Sequence, residues 1–372
     1  MTNLEDAAGL PGLLSAPTPP EAPALPYLPI DPRTYRPRIG LIGCGGITAS
    51  HLRAYRAANY DVVMFCDMIE ERARARQAEF YPDAAVTTDF EELLRRDDID
   101  VVDIATHPLA RQPVVEAALR AGKHVLSQKP FALDLDWGER MVELADKQGV
   151  RLAVNQNGRW APHWSYIRQA INQGLLGEVM CAHLAVQWDH QWIIGTLFEE
   201  IHDVILYDFA IHWFDIVATF LGDRPARRVY ATTTYGRGQR AKPPMLAQVA
   251  IEYEGAQATL IFDAAVPFGE SDRTYVAGTA GTISSSGPNL NEQQVTLTTA
   301  AGTSSPALEG QWFRNGFHGT MAELLCAIED GREPSNSARV NLRSLELTFA
   351  AIASSRDGEP KIPGTVRRLP EM

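Results

Sequence analysis

Cysteine is scarce and scattered: the four in 372 residues, Cys44, Cys66, Cys181 and Cys326, lie far apart, each inside an apolar run. Such placement excludes a disulfide framework and the paired spacing of a metal knuckle, and reads as reduced core cysteine. The chain also lacks any Lys/Arg cluster. Its 34 basic residues stand against 46 acidic ones, a formal charge of -12, so it does not carry the basic stripe that tracks a phosphate backbone, and nucleic acid is not an expected partner. No apolar run reaches membrane-spanning length. The opening MTNLEDAAGLPGLLSAP has acidic residues where a secretory leader needs positive charge, and its apolar stretch is broken by Pro11 and Gly12. His183, His190 and His202 have no zinc spacing, so no metal is assigned. A cytoplasmic protein acting on a small molecule is the expectation.

What is present is ordinary globular composition, 45% hydrophobic and 22% charged, with length for two domains. Residues 1–37 hold nine of the 24 prolines and favour extended polyproline conformation. They read as a disordered tail or as an arm laid across the body or a neighbouring subunit, since Leu25, Tyr27, Leu28 and Ile30 give it something to bury. From residue 38 short apolar runs alternate with helical stretches: RIGLIG, DVVMFCD, VVDIAT, HVLSQ and RLAVNQ read as strands, with helices between them. Strands separated in this way require right-handed crossovers and a parallel sheet covered on both faces, a doubly wound α/β domain over 38–158. Over 159–372 the pattern changes to alternating strands such as EVMCAHLAVQWDH, RRVYATTTY, MLAQVAIEYEG and AQATLIFDAA, with helices returning at the end. That predicts an α+β domain built on a large, mostly antiparallel sheet.

Three stretches carry chemistry. In GCGGITASH, Gly43 permits a tight turn, Gly45 lets the backbone approach a pyrophosphate, and the helix that follows aims its N-terminus at the anion. Asp67 closes the second strand, where a carboxylate accepts from ribose hydroxyls and repels a 2′-phosphate; no arginine adjoins it, which favours NAD over NADP. Candidate cofactor contacts are Gly43, Gly45, Gly46, Ile47 and Asp67, with Thr106, Gln128 and Lys129 at later strand ends. In LSQKPFAL, a proline directly after Lys129 ends the strand and restricts the backbone around one amine at the sheet's carboxyl edge. In LYDFAIHWFDIVATFLG, Asp208 and His212 lie four apart on one predicted helix face, with Asp215 three residues beyond. Placing a carboxylate and an imidazole on so apolar a helix is costly unless they are paired or working. Trp160, Trp164, Trp188, Trp192 and Trp213 are concentrated in one portion of the chain. Indoles beside Arg159 and His190 suit the C–H faces and hydroxyls of a sugar, so Arg159, Trp160, Trp188, His190 and Asp208 are the candidate substrate contacts.

Taken together, GLIGCGGITASH, AGKHVLSQKPFAL and DFAIHWFD, in that order, resemble the nucleotide turn, the Glu-Lys-Pro segment and the Asp-x-x-x-His segment of the Gfo/Idh/MocA family of nicotinamide-dependent oxidoreductases. The resemblance implies an N-terminal Rossmann domain, a C-terminal domain whose open sheet forms a homodimer or homotetramer, and catalytic roles for Lys129, Asp208 and His212. It further implies hydride transfer between NAD and a secondary hydroxyl of a sugar, glycoside or cyclitol. An NAD-dependent glycosidase working through transient oxidation, and a non-catalytic NAD-binding regulator, are the alternatives. Three positions depart from the family pattern: Gln128 replaces the usual glutamate, Thr48 stands where a small residue opens the helix, and HDVILY replaces a glycine-rich lead-in.

Overall fold

Residues 20–369 are described by the computed structural model; the first nineteen residues of the expected arm and the last three of the chain lie outside the described residues. The first sheet is built from β1 (Arg38–Ile42), β2 (Asp61–Cys66), β3 (Ala85–Thr87), β4 (Val101–Ile104), β5 (His124–Ser127) and β6 (Leu152–Val154). All neighbours pair parallel, in the order β3-β2-β1-β4-β5-β6. The central strands are buried on both faces, which is why they read as unbroken apolar runs. The crossovers are α1 (Thr48–Ala57), α2 (Glu70–Phe80), α3 (Phe90–Leu94), α4 (Pro108–Arg120) and α5 (Leu135–Gln148). Local chemistry sets their ends: Asp134 accepts from the N–H groups of Asp136 and Trp137 to start α5, and Gly149, at φ +69°, stops it. Strand order reverses between β1 and β4, and that switch point leaves a crevice at the strands' carboxyl ends.

A second sheet of eight strands follows α6 (Pro162–Asn172). Its strands are β7 (Val179–Gln187), β8 (Ala226–Thr234), β9 (Leu246–Tyr253), β10 (Ala256–Asp263), β11 (Ser271–Gly278), β12 (Gly281–Asn289), β13 (Glu292–Thr299) and β14 (Gly302–Ser304), in the order β14-β13-β12-β11-β7-β10-β9-β8. Every pair is antiparallel except β7 with β10. The turn Glu254–Gly255 closes the β9–β10 hairpin with Gly255 at φ +67°. One face packs on α6 and α7 (Ile211–Leu221) around Trp164, Trp213 and Phe262. The other leaves Met180, Tyr230 and Tyr275 largely exposed. Strands β12 to β14 are not apparent in the sequence: GTISSSGPN is serine and glycine with one buried isoleucine, and register with β11 makes it a strand.

The chain then returns to the first sheet. Helix α8 (Trp312–Glu329) lies against α1, putting Phe317, Met321 and Leu324 into the core above β1, while α9 (Ala338–Asp357) packs on α5 and β8. Arg367 gives its carbonyl to Leu135 N. Residues 20–37 run over α6 and α8: the Tyr166 hydroxyl donates to Pro23 O at 2.8 Å, Ser165 Oγ to Tyr27 O at 2.7 Å, and the N–H groups of Thr34 and Tyr35 to Glu329 at 2.6 and 2.9 Å. No helix among the described residues is long and apolar enough to cross a membrane.

Candidate active site

The β1–α1 turn is shaped for close approach. Gly43 holds φ +91°, and a Cβ there would lie 2.8 Å from the Ala105 carbonyl carbon and 2.9 Å from Thr106 N, so glycine alone fits. Beside Gly45 and Gly46 the space is open. The N–H groups of Gly45, Gly46 and Ile47 have no acceptor among the described residues, and they stand at the N-terminus of α1 as free donors suited to a pyrophosphate. The Thr106 hydroxyl, at the end of β4, is buried without a partner. Asp67 accepts from Cys44 N at 2.7 Å and from Ile69 N at 2.9 Å; it thus ties the turn to β2 and also starts the next helical turn. Arg76 of α2, which the sequence reading missed, donates to Gly45 O at 3.1 Å and Thr48 Oγ1 at 3.2 Å. These residues fit a dinucleotide.

Across the switch point Lys129 follows β5, joined to Pro130 by a cis peptide bond. Its ammonium donates to Asp208 Oδ1 at 3.0 Å and to Asp208 O at 2.9 Å, with both side chains about one-fifth exposed. Asp208 lies not in an ordinary helix but in a π-turn (Ile205–Phe209) ahead of α7, in which Ala210 N reaches back to Ile205 O. The inserted residue alters the expected i to i+4 facing; such turns recur at functional sites. The loop around Lys129 is gripped by Arg111 of α4, only 1% exposed. Its guanidinium donates to Thr106 O at 2.6 Å and also to the carbonyls of Gln128 and Pro130. Sequence reasoning passed over Arg111; the signal was an arginine beginning the apolar face of a helix that starts with proline.

His212, in the first turn of α7, is buried, its Nδ1 unpartnered, with its ring edge-on to Trp312 at 5.4 Å. Burial, and then the Lys129 charge, push its pKa well below the ordinary histidine value, so at neutral pH it is an uncharged imidazole able to accept a proton. His190 packs on Phe209 at 4.4 Å and is stacked with Trp188 at 6.0 Å; burial pushes it down to about 4, with Asp208 and Lys129 as its charged neighbours. Lys129, Asp208, His212, His190 and Trp188 therefore converge.

Other expected contacts are spent elsewhere. Arg159 is 3% exposed and donates through Nε and Nη2 to Asp215, both at 2.6 Å, while Ser344 of α9 donates to the same carboxylate at 2.8 Å. A buried fork-to-carboxylate pair of this kind locks the segment after β6 to α7 and α9, leaving no donor for a sugar. Trp160 is wedged against Gly319 of α8 beneath the Arg168 guanidinium, 5.1 Å from its ring, so it is packing. Gln128, expected at the cofactor, turns its amide inward to His51 and to the Lys129 N–H.

A doubly wound sheet with free amides at its first helix and a lysine–carboxylate–imidazole cluster at its switch point defines a dinucleotide-binding oxidoreductase. Residues 37–156 match the model of the oxidoreductase family with NAD-binding Rossmann fold, and residues 164–284 that of the GFO/IDH/MocA C-terminal domain. The chain belongs to the GFO/IDH/MocA oxidoreductase family. It is 27% identical to a D-apiose dehydrogenase of Paraburkholderia graminis, over 86% of this chain and 87% of that one, and 26% identical to an inositol 2-dehydrogenase of Rhizobium meliloti, over 85% and 96%. An oxidoreductase from Agrobacterium radiobacter solved with NAD+, L-tartaric acid and magnesium superposes with a TM-score of 0.80 at 22% identity, covering 89% of this chain and 99% of the other. The first two of these are a sugar dehydrogenase and a cyclitol dehydrogenase.

Proposed function

We propose that this protein is an NAD-dependent dehydrogenase that oxidises a secondary hydroxyl of a sugar, glycoside or cyclitol. The observation that carries the reading is the 3.0 Å contact between Lys129 Nζ and Asp208 Oδ1 beside the uncharged His212, at the carboxyl edge of a parallel sheet. Gly43, Gly45, Gly46, Ile47, Asp67 and Thr106 would hold the dinucleotide, and the chemistry it supplies when bound is acceptance of a hydride. Asp67, followed by Met68 and Ile69 with no adjoining arginine, supports NAD. His212 takes the proton of the reacting hydroxyl; its depressed basicity is adequate because the hydroxyl becomes acidic as its carbon loses hydride. Lys129 stabilises negative charge developing on that oxygen, and Asp208 orients Lys129 and accepts from a neighbouring hydroxyl. Trp188 and His190 offer flat faces to the substrate ring. The exposed face carrying Met180, Tyr230 and Tyr275 is the surface through which copies would form a homodimer or homotetramer.

The test is a panel of free sugars, glycosides and inositols, each assayed with NAD and with NADP, following absorbance of the reduced cofactor. Accumulation of NADH with at least one of them is the expected result. Glycoside cleavage without net NADH, or tight NAD binding with no turnover of any compound, would overturn the reading.

A further inference from the structure

We propose that Gln128 is a positioning residue for Lys129, and that it acts by being an amide: it completes a hydrogen-bond chain with one proton order, from Asp103 through His51 to the main-chain N–H of Lys129. The inference rests on the role given to Lys129 above. The order follows from the chemistry of each group. A backbone N–H can only donate, and that of Lys129 donates to Gln128 Oε1 at 2.7 Å. The other end of the side chain is therefore the NH2 group, which lies 3.0 Å from His51 Nε2. A ring nitrogen that accepts carries no proton, so the His51 proton is on Nδ1, 2.7 Å from Asp103 Oδ2. The Tyr55 hydroxyl donates to the same carboxylate oxygen at 2.7 Å. Asn155 is placed compatibly, its NH2 3.4 Å from His51 Nε2 and its Oδ1 3.1 Å from the Thr320 hydroxyl, which Phe317 O also meets at 3.2 Å.

His51, Asp103 and Asn155 are fully buried and Gln128 is 7% exposed, so bulk water does not reach the chain. Tyr55 from α1, Asp103 from β4, Gln128 after β5, Asn155 after β6 and Phe317 of α8, stacked at 4.3 Å, are the groups facing His51. Asp103 is the one charge among them. A glutamate at 128 would accept from Lys129 N but could meet His51 Nε2 only if that nitrogen gained a proton, making the imidazole a cation between two carboxylates. The amide avoids this: it needs no second proton on the imidazole, and both its ends are used inward.

The experiment uses the full chain with selectively 15N-labelled histidine, the His51 resonances being assigned by their loss in His51→Gln. Wild-type His51 should carry its proton on Nδ1 with Nε2 bare, and in Gln128→Glu Nε2 should be protonated as well. With a sugar that is turned over, Gln128→Glu should show a kcat reduced about 10- to 100-fold and a new ionisation in its pH profile, the loss expected when a reacting group is displaced by about 1 Å. Gln128→Leu, which removes both contacts, should lose a similar factor in kcat, with no new ionisation and NAD affinity changed less than about threefold. Identical His51 protonation in wild type and Gln128→Glu, or a Gln128→Leu kcat within twofold of wild type, would overturn the proposal. A purely structural role would lower Tm in both variants and leave the pH profile alone. Should no sugar be oxidised, the dehydrogenase reading fails while the His51 spectra still decide the proton order.

Discussion

Replacing Arg111 with methionine removes the donors that hold the Lys129 loop while filling much of the same volume. The guanidinium is fully buried and has no carboxylate within contact among the described residues; its partners are the main-chain oxygens of Thr106, Gln128, Lys129 and Pro130. Burial lowers its pKa to about 10, so it is still charged at neutral pH. Gln128 O keeps the Ser127 hydroxyl as a donor; each of the other three carbonyls, left without one, costs about 1–3 kcal/mol, about 3–9 kcal/mol together. Against this stands the recovered cost of burying a cation, several kcal/mol. The net expectation is a loss of up to about 5 kcal/mol of stability, read as a lower urea midpoint with unchanged m-value. Freed of its clamp, the ammonium of Lys129 no longer stays over Asp208, and kcat should fall about 10- to 100-fold. Arg111→Lys keeps the charge but lacks the planar fork, so it should lie between the two. An unshifted midpoint together with a kcat within twofold of wild type would show that the loop holds itself.

His212→Ala should reduce kcat about 10²- to 10⁴-fold while NAD affinity, measured by fluorescence quenching, stays within a few-fold. Because burial holds His212 well below the ordinary histidine value, the wild-type kcat/KM for oxidation should be flat between pH 8 and pH 6; a halving near pH 6.5 would assign the proton acceptor a solvated histidine. Gly43→Ala forces a Cβ into the Ala105 carbonyl at a positive φ, costing about 1–3 kcal/mol and weakening NAD binding, as thermal shift with and without NAD would register. Stability should fall as pH drops from 6 to 5. In the folded chain burial holds His163 near 3, His190 near 4 and His212 far below its usual value, so these imidazoles gain protons on unfolding; Asp272, raised by burial to about 7, releases one. From these four groups the net uptake is about two protons, about 3 kcal/mol per pH unit, and His107 and His124, also lowered by burial, act in the same direction. Denaturation curves showing equal or greater stability at pH 5 would refute it.

The first sheet was legible because doubly buried parallel strands must be continuous apolar runs and their crossovers must be amphipathic helices, so order and direction follow from local pattern. The nucleotide turn was legible for a similar reason: Gly43 tolerates a backbone angle that other residues resist. Lys129 and Asp208, 79 residues apart, were expected together, and each announced itself by a local oddity, a following proline in one case and a carboxylate in an apolar helix in the other. The same cues misled at Arg159 and Trp160, where polar and aromatic character looked like substrate chemistry but serves packing on α7 and α8. Nothing local distinguishes an arginine that meets a sugar from one that meets Asp215; the arrival of α9 decides it. Strands β12 to β14 were invisible since their stability comes from pairing with β11 rather than from their own side chains. The sequence by itself set the two sheets' character, the turn and the chemically capable residues. Tertiary structure alone decided which of them face the crevice and which carbonyls Arg111 would grip, because those depend on contacts between segments far apart in the chain, including helices from its end that return to cover the first sheet.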